Sequence, residues 1–105
     1  MANPTGVIME PSFIAAGTVE TSIALDPGRS YRLIHLATTE GGEADSADIF
    51  WSYASGVQTS YAAGAGVGCL RAGWLSMGIV VGGRSRLYFK TQSGTPVFLI
   101  VPGSR

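Results

Sequence analysis

One histidine and one cysteine are the residues in this sequence whose side chains most often do chemistry, and their surroundings argue against it. A catalytic nucleophile needs a base within hydrogen-bond reach and a third group that orients the base. His35 lies between Ile34 and Leu36 in a strand-like segment, which predicts a half-buried, hydrogen-bonding side chain. Cys69 follows Gly68 with no helix start that would lower its pKa, so we interpret it as a buried small apolar residue. One cysteine and one histidine are also too few for a structural zinc site, which uses four ligands.

The carboxylates of one short segment are the next group that could act together: Glu40, Glu43, Asp45 and Asp48. Calcium accepts oxygen ligands from a flexible loop, but the spacing of these acids is not that of an EF-hand. A glycine-flanked loop is also too flexible to hold two carboxylates in the fixed positions that a glycosidase requires. We interpret the segment as a solvated loop and predict no metal and no cofactor, with calcium binding left as an open alternative.

A glycine-rich run, Gly-Ala-Gly-Val-Gly at residues 64–68, resembles a nucleotide-binding loop only in part. Cys69 stands where the third glycine of a dinucleotide fingerprint belongs, and no helix signal follows. The sequence therefore predicts no catalytic residue, and we expect that the protein is not an enzyme.

Aromatic side chains remain as candidates for ligand stacking, because exposed flat rings bind sugars and anchor interfaces. The candidates are Trp51, Tyr53, Tyr61 and Trp74. Burial in the core is the favoured interpretation for the tryptophans, whereas Tyr61, in the glycine-rich run, is expected to be exposed.

The composition limits the class of protein. The 105 residues predict one domain, and Lys plus Arg and Asp plus Glu number 7 each, so the net charge is zero. Charged residues make up 13% of the chain, which disfavours nucleic-acid binding and permits close self-association. The sequence shows neither a signal peptide nor an apolar run long enough for a membrane helix, so we expect cytoplasmic synthesis and no membrane partner.

The elements that must position these residues are predicted to be strands. The 15 glycines and 5 prolines disfavour long helices, and alternating apolar residues with frequent turn signals predict seven or eight short strands. We expect an all-β fold, an antiparallel jelly-roll-like β-sandwich over residues 13–105, with a small closed barrel as the alternative. Residues 1–12, interrupted by Pro4, Gly6 and Pro11, are expected to form an extended N-terminal arm.

The last twenty residues predict a β-hairpin that turns at Ser93-Gly94. Its second strand is apolar at every position from 97 to 101, so both of its faces should meet apolar surface. We assign the second of these contacts to another subunit, at Phe98 and Ile100, with cover by the N-terminal arm or by the loop 54–68 of the same chain as the alternative.

Four segments carry a resemblance to a known family. They are Tyr-Arg-Leu-Ile-His-Leu at 31–36, Ile-Phe-Trp-Ser at 49–52, Gly-Ile-Val-Val-Gly at 78–82, and residues 87–97 with their Ser-Gly turn. Their order resembles that of small β-sandwich virion proteins of tailed bacteriophages, of the head decoration or cement type. The resemblance implies a homotrimer located in the virion that binds the major capsid protein and carries no active site.

A decoration protein would contact the capsid through an apolar arm, and the N-terminal segment fits this role. The candidate contact residues are Val7, Ile8, Met9 and Phe13. The alternative is a carbohydrate-binding or host-recognition module of a phage fibre or tail, which would use Trp51, Tyr53 or Trp74 with calcium in the acidic loop.

Overall fold

The chain folds into eight short β-strands, as seen in a computed structural model that describes residues 3–37, 46–59, 68–72 and 79–103. The strands are β1 (Ser12–Ala15), β2 (Thr21–Ala24), β3 (Ser30–His35), β4 (Ile49–Ser52), β5 (Gly68–Leu70), β6 (Ile79–Gly82), β7 (Arg86–Thr91) and β8 (Val97–Pro102). The described ranges contain no helix, and hence none that could cross a membrane.

The strands form two antiparallel sheets of four strands each. The first sheet has the order β1-β8-β3-β6 and the second β2-β7-β4-β5. Four of the pairings are nested, first strand with last and so on inward: β1 with β8, β2 with β7, β3 with β6 and β4 with β5. The chain thus folds back on itself like one long hairpin. Two further pairings, β3 with β8 and β4 with β7, join parts of this hairpin side by side and complete the two sheets. This is the jelly-roll arrangement, and it confirms the predicted sandwich over the closed barrel.

The core lies between the two sheets and follows from the alternation of side chains along each strand. In β7, Leu87, Phe89 and Thr91 are buried, whereas the residues between them point away from the core. The buried apolar cluster contains Ile8, Ile14, Ala16, Ile23, Leu25, Tyr31, Leu33, Ile49, Leu70, Val81, Leu87, Phe89, Phe98 and Ile100.

The predicted C-terminal hairpin is wrong. β7 pairs with β2 and β4 in the second sheet, whereas β8 pairs with β1 and β3 in the first. The connection is an arch between the sheets, and Gly94 within it has a φ of 71°, which favours glycine. The two strands meet through side chains: the rings of Phe89 and Phe98 pack edge to face at 5.2 Å between centroids.

The assignment of Phe98 and Ile100 to a subunit contact is also wrong, because both side chains lie in the core. Their side chains are 1% and 0% exposed within the single chain, so they have no surface left to offer a partner. The opposite face of β8 carries Val97, Leu99 and Val101, which are half-buried. The strand has two apolar faces as predicted, but the outward face is the other one.

The N-terminal arm packs against the sandwich. Ile8 is 2% exposed, belongs to the core cluster, and donates its N–H to the carbonyl of Ala24 at 3.0 Å. The Tyr31 hydroxyl donates to the Ile8 carbonyl at 2.9 Å. Asn3 pairs with the backbone of Ala15 through both its amide oxygen and its amide nitrogen, at 2.9 and 3.0 Å. The arm therefore covers the side of the sandwich next to β1 and β2.

Candidate functional site

The strongest candidate for a functional surface is the outer face of the first sheet. The side chains that alternate with the buried ones define it, and we call them the outer face: Phe13, Ala15, Ser30, Arg32, Ile34, Val80, Val97, Leu99 and Val101. Every residue of this set except Ser30 and Arg32 is apolar. A sheet with one face in water ordinarily has polar residues there, so this face is built like an interior surface.

The strand register arranges the outer face in rows. Leu99 of β8 lies opposite Phe13 on one side and Ile34 on the other, which gives one apolar row across three strands. The next row runs from Val101 through Arg32 to Val80. The rows bring residues far apart in sequence into a continuous surface.

The outer face is most accessible at its two edge strands. Phe13 on β1 is 55% exposed and Val80 on β6 is 59% exposed, whereas the apolar residues between them are half-buried. A shallow pocket of about 150 Å³ lies at one end, lined in part by Arg32, Val80 and Val101. Contiguous exposed apolar surface of this kind marks interaction sites in soluble proteins.

The outer side of the second sheet is different. Phe50 alternates with the core residue Ile49 and so points outward, yet it is only 1% exposed. The segment after β4 folds back and is tied down, because one Glu20 carboxylate oxygen accepts the N–H groups of Gly56 and Val57 at 2.8 and 2.6 Å. Val57 is 6% exposed. Phe50, the large apolar residue that the second sheet turns outward, is thus already buried within the single chain.

Three of the four predicted capsid contacts are accessible. Val7, Met9 and Phe13 are 48%, 54% and 55% exposed. The prediction for Ile8 is wrong, because its side chain lies in the core. Val7 and Met9 flank Ile8 and project from the arm, whereas Phe13 belongs to β1 and to the outer face.

His35 is a structural residue. It is 0% exposed, and its Nδ1 accepts the N–H of Ala37 at 3.1 Å. Nε2 therefore carries the proton and donates to the Ala47 carbonyl at 2.8 Å. Both ring nitrogens are occupied by backbone groups, so the ring ties the end of β3 to the segment before β4 and leaves no nitrogen for substrate.

Cys69 is poorly suited to nucleophilic chemistry. Partial burial, followed by the nearby negative charge and hydrogen bond of Asp48, raises the pKa of the Cys69 thiol to about 11, although Arg71 acts in the opposite direction. The thiol therefore stays protonated near neutral pH, where a nucleophile would need the thiolate. Its position in β5 is half-buried rather than buried as predicted.

Trp51 and Tyr53 pack against the core and each other. The rings meet edge to face at 5.5 Å between centroids, and the Trp51 indole lies directly over the backbone of Gly68. The guanidinium of Arg84 lies 5.1 Å from the centre of the Tyr53 ring, whose hydroxyl accepts the N–H of Gly82 at 3.2 Å. These contacts engage both rings within the protein and leave each of them half-buried. Tyr61 and Trp74, the other stacking candidates, lie outside the described residues.

The acidic segment is described only at its end. Asp48 forms an ion pair with Arg71 at 3.4 Å, while Glu40, Glu43 and Asp45 lie outside the described residues. Among the side chains that the structure describes, no three His, Cys, Asp or Glu residues are grouped as a metal site would require.

Comparison with protein-family models, with curated proteins and with solved structures finds no significant match to this chain.

Proposed function

We propose that this protein is a structural virion protein of tailed bacteriophages, of the head decoration type, which binds the assembled capsid and catalyses no reaction. The observation that carries the proposal is the apolar outer face of the first sheet, with Phe13 and Val80 more than half exposed at its edges. Such a surface is expected in a protein whose function is to be covered by neighbours.

The accessible part of the arm adds a second apolar surface. Val7, which bridges to Ala24 of β2, and Met9 are exposed, and burying each of them in a partner would stabilise the complex by about 1 kcal/mol or more. The outer face and the arm thus each offer apolar anchors. The zero net charge adds no long-range repulsion between many copies on one shell.

The reactive and aromatic side chains that the structure describes are engaged within the protein, which is consistent with a binding role. His35 has both nitrogens bonded to backbone, and Cys69 is held as a neutral thiol. The aromatic pair Trp51 and Tyr53 is engaged with the protein itself. The alternative of carbohydrate binding at these two rings has no supporting contact, so we do not propose it.

The test is binding to particles. Phage particles from the strain that encodes the chain are purified and examined by mass spectrometry, which we expect to detect the protein in many copies per head. Particles stripped of it by mild denaturant should rebind the purified protein in a sedimentation assay.

The arm is tested with matched substitutions. The double variant Val7→Lys, Met9→Lys places two charges on exposed arm positions without touching Ile8, and we expect its binding to stripped particles to fall at least about tenfold. Val19→Lys is the control, since Val19 is 77% exposed on the turn between β1 and β2 and should leave binding unchanged. Absence of the protein from purified particles would reject the virion function, and equal binding of all three proteins would reject the role of the arm.

A further inference from the structure

We propose that the turn between β6 and β7 binds carboxylate groups of an acidic segment in a partner protein, through Arg84 and Arg86. We call this turn, together with the first residue of β7, the arginine turn, residues 83–86. The proposal concerns one end of the sandwich and does not depend on the outer face or on capsid binding. It rests on the placement of the arginines, on the pairing of the neighbouring carboxylate, and on the contacts that hold Arg84.

The described arginines are unevenly distributed over the sandwich. Five are described, and three of them, Arg29, Arg84 and Arg86, lie in or next to the two turns at one end. Arg32 lies within β3, and Arg71 follows β5 at the other end. Because the whole chain has no net charge, this distribution is a local excess of positive charge at one end.

The arginine turn lies beside the turn between β2 and β3. Leu25, just after β2, donates its N–H to the Ser85 carbonyl at 2.8 Å. On the other side, Ser30 of β3 pairs with Gly82 of β6. The two turns therefore form one continuous surface at this end of the sandwich.

The carboxylate of the neighbouring turn is already paired. Asp26 forms an ion pair with Arg29 at 3.6 Å and accepts the N–H of Gly28 at 2.9 Å. Neither Arg84 nor Arg86 forms an ion pair with a carboxylate among the residues that the structure describes. The positive charge of the arginine turn is thus available to a partner.

Arg84 is held by an aromatic ring. Its guanidinium carbon lies 5.1 Å from the centre of the Tyr53 ring, and its Nη1 donates to the Gly83 carbonyl at 3.2 Å. The ring is itself fixed, since it packs against the core and its hydroxyl accepts the N–H of Gly82 at 3.2 Å. A guanidinium over a ring keeps further N–H donors for hydrogen bonds. Arg84 therefore loses less side-chain entropy on binding a carboxylate than an unsupported arginine would.

Arg86 supplies the second cation at a suitable spacing. It is exposed, as Arg84 is, and it spends one of its five N–H donors on the Ser22 hydroxyl at 2.9 Å. Only Ser85 separates the two arginines, so their Cα atoms are at most about 7 Å apart. Carboxylates on alternate residues of an extended segment have the same spacing. Guanidinium groups bind carboxylates through two parallel hydrogen bonds, which favours such a segment as the ligand.

The small number of cations favours an acidic protein segment over nucleic acid. Binding to a phosphate backbone at physiological salt depends on neutralising many phosphates, whereas the arginine turn offers two cations and has Asp26 in the neighbouring turn. Exposed ion pairs are individually weak. We therefore expect a dissociation constant of about 1 mM for a short acidic peptide at low salt.

The experiment is a titration of the full chain with a hexaglutamate peptide blocked at both ends, followed by NMR amide shifts. Hexaglutamate should shift the amides of residues 83–86, whereas hexaglutamine should not. Raising the salt from about 20 to 200 mM should weaken binding at least about threefold. Arg84→Gln and Arg86→Gln should each weaken it about threefold, and the double variant about tenfold. Both positions are exposed, so the variants should fold, which the spectra check directly.

Arg71→Gln is the matched control. Arg71 is exposed at the other end of the sandwich and is paired with Asp48 at 3.4 Å, so its loss should leave peptide binding unchanged. Three results would each overturn the proposal: no shift at residues 83–86 up to about 10 mM peptide, equal binding by the double variant, or tighter binding of a single-stranded oligothymidylate of similar charge. None of them bears on the particle-binding assay, so the two proposals fail separately.

Discussion

At the scale of single residues, Cys69 shows how a strand position removes chemical reactivity. The side chain is half-buried, and the Asp48 carboxylate beside it disfavours a second negative charge. Both effects favour the neutral thiol, so the pKa rises. The direction of this pKa shift matters for any redox or alkylation experiment, because only the thiolate reacts.

Alkylation of Cys69 by iodoacetamide should be slow near pH 8 and should accelerate up to about pH 11. At pH 8 a thiol with this pKa is about 0.1% ionised, far less than an ordinary cysteine. Asp48→Asn should speed the reaction and Arg71→Ala should slow it, because the two charges act in opposite directions on the pKa. All three proteins should react at equal rates once unfolded in urea. A native rate equal to the unfolded rate would contradict the prediction.

Gly68 is required by the ring of Trp51. A Cβ atom on Gly68 would overlap the indole, so the ring or the strand would have to move. We expect Gly68→Ala to lower the free energy of unfolding by about 1–3 kcal/mol, the usual cost of overpacking. Urea unfolding followed by tryptophan fluorescence measures this. Gly17→Ala is the control, because a Cβ there meets no atom within 4 Å; equal losses in both variants would contradict the role of Trp51.

At the scale of elements, the arm depends on one buried hydroxyl. The Tyr31 hydroxyl accepts the N–H of Asp26 at 2.8 Å and donates to the Ile8 carbonyl at 2.9 Å, so it joins the end of β2 to the arm. Because Ile8 also belongs to the core, deletion of residues 1–12 should destabilise the sandwich as well as remove exposed contacts. The single-residue variants of the arm are therefore the cleaner tests of binding.

Tyr31→Phe should lower the free energy of unfolding by about 1–3 kcal/mol, because it leaves a buried N–H and a buried carbonyl without their partner. It should also raise hydrogen exchange at the Ile8 amide, which bonds to Ala24. Tyr88→Phe, at a half-buried position on the outward side of β7, should change stability by less than about 0.5 kcal/mol. Unchanged stability and exchange in Tyr31→Phe would show that the hydroxyl does not hold the arm.

The final strand shows what the sequence can and cannot predict. Unbroken apolar character at residues 97–101 gives the strand two apolar faces, of which the structure places one in the core, and Ser93-Gly94 correctly marks a turn between β7 and β8. The same pattern cannot say which face points inward, since Phe98 and Leu99 are equally apolar. It also cannot distinguish a hairpin from an arch, because both need a turn near Gly94; the choice depends on β1 and β3, which are distant in sequence. The outer face went unpredicted for this reason.

At the scale of the whole molecule, the nested pairing makes nearly every sheet contact non-local. β1 and β8 pair across about 85 residues of chain, and β2 and β7 across about 65. Closing such long loops costs entropy before any contact compensates for it. The fold class could be predicted from composition and turn spacing, but this order of strands could not.

Refolding from urea should therefore be slow, with time constants of milliseconds to seconds rather than microseconds. Stopped-flow fluorescence of the tryptophans measures it. Complete refolding within microseconds would contradict the prediction.

The central position of β8 in the first sheet also has a consequence for biosynthesis. A ribosome makes β8 after all the other strands, yet β1 and β3 each need it as their neighbour. Until residues 97–102 emerge, β1 has no partner in its sheet, and Phe89 lacks the ring of Phe98 opposite it. The first sheet therefore cannot form in full before residues 97–102 have been made, whatever the other strands do earlier.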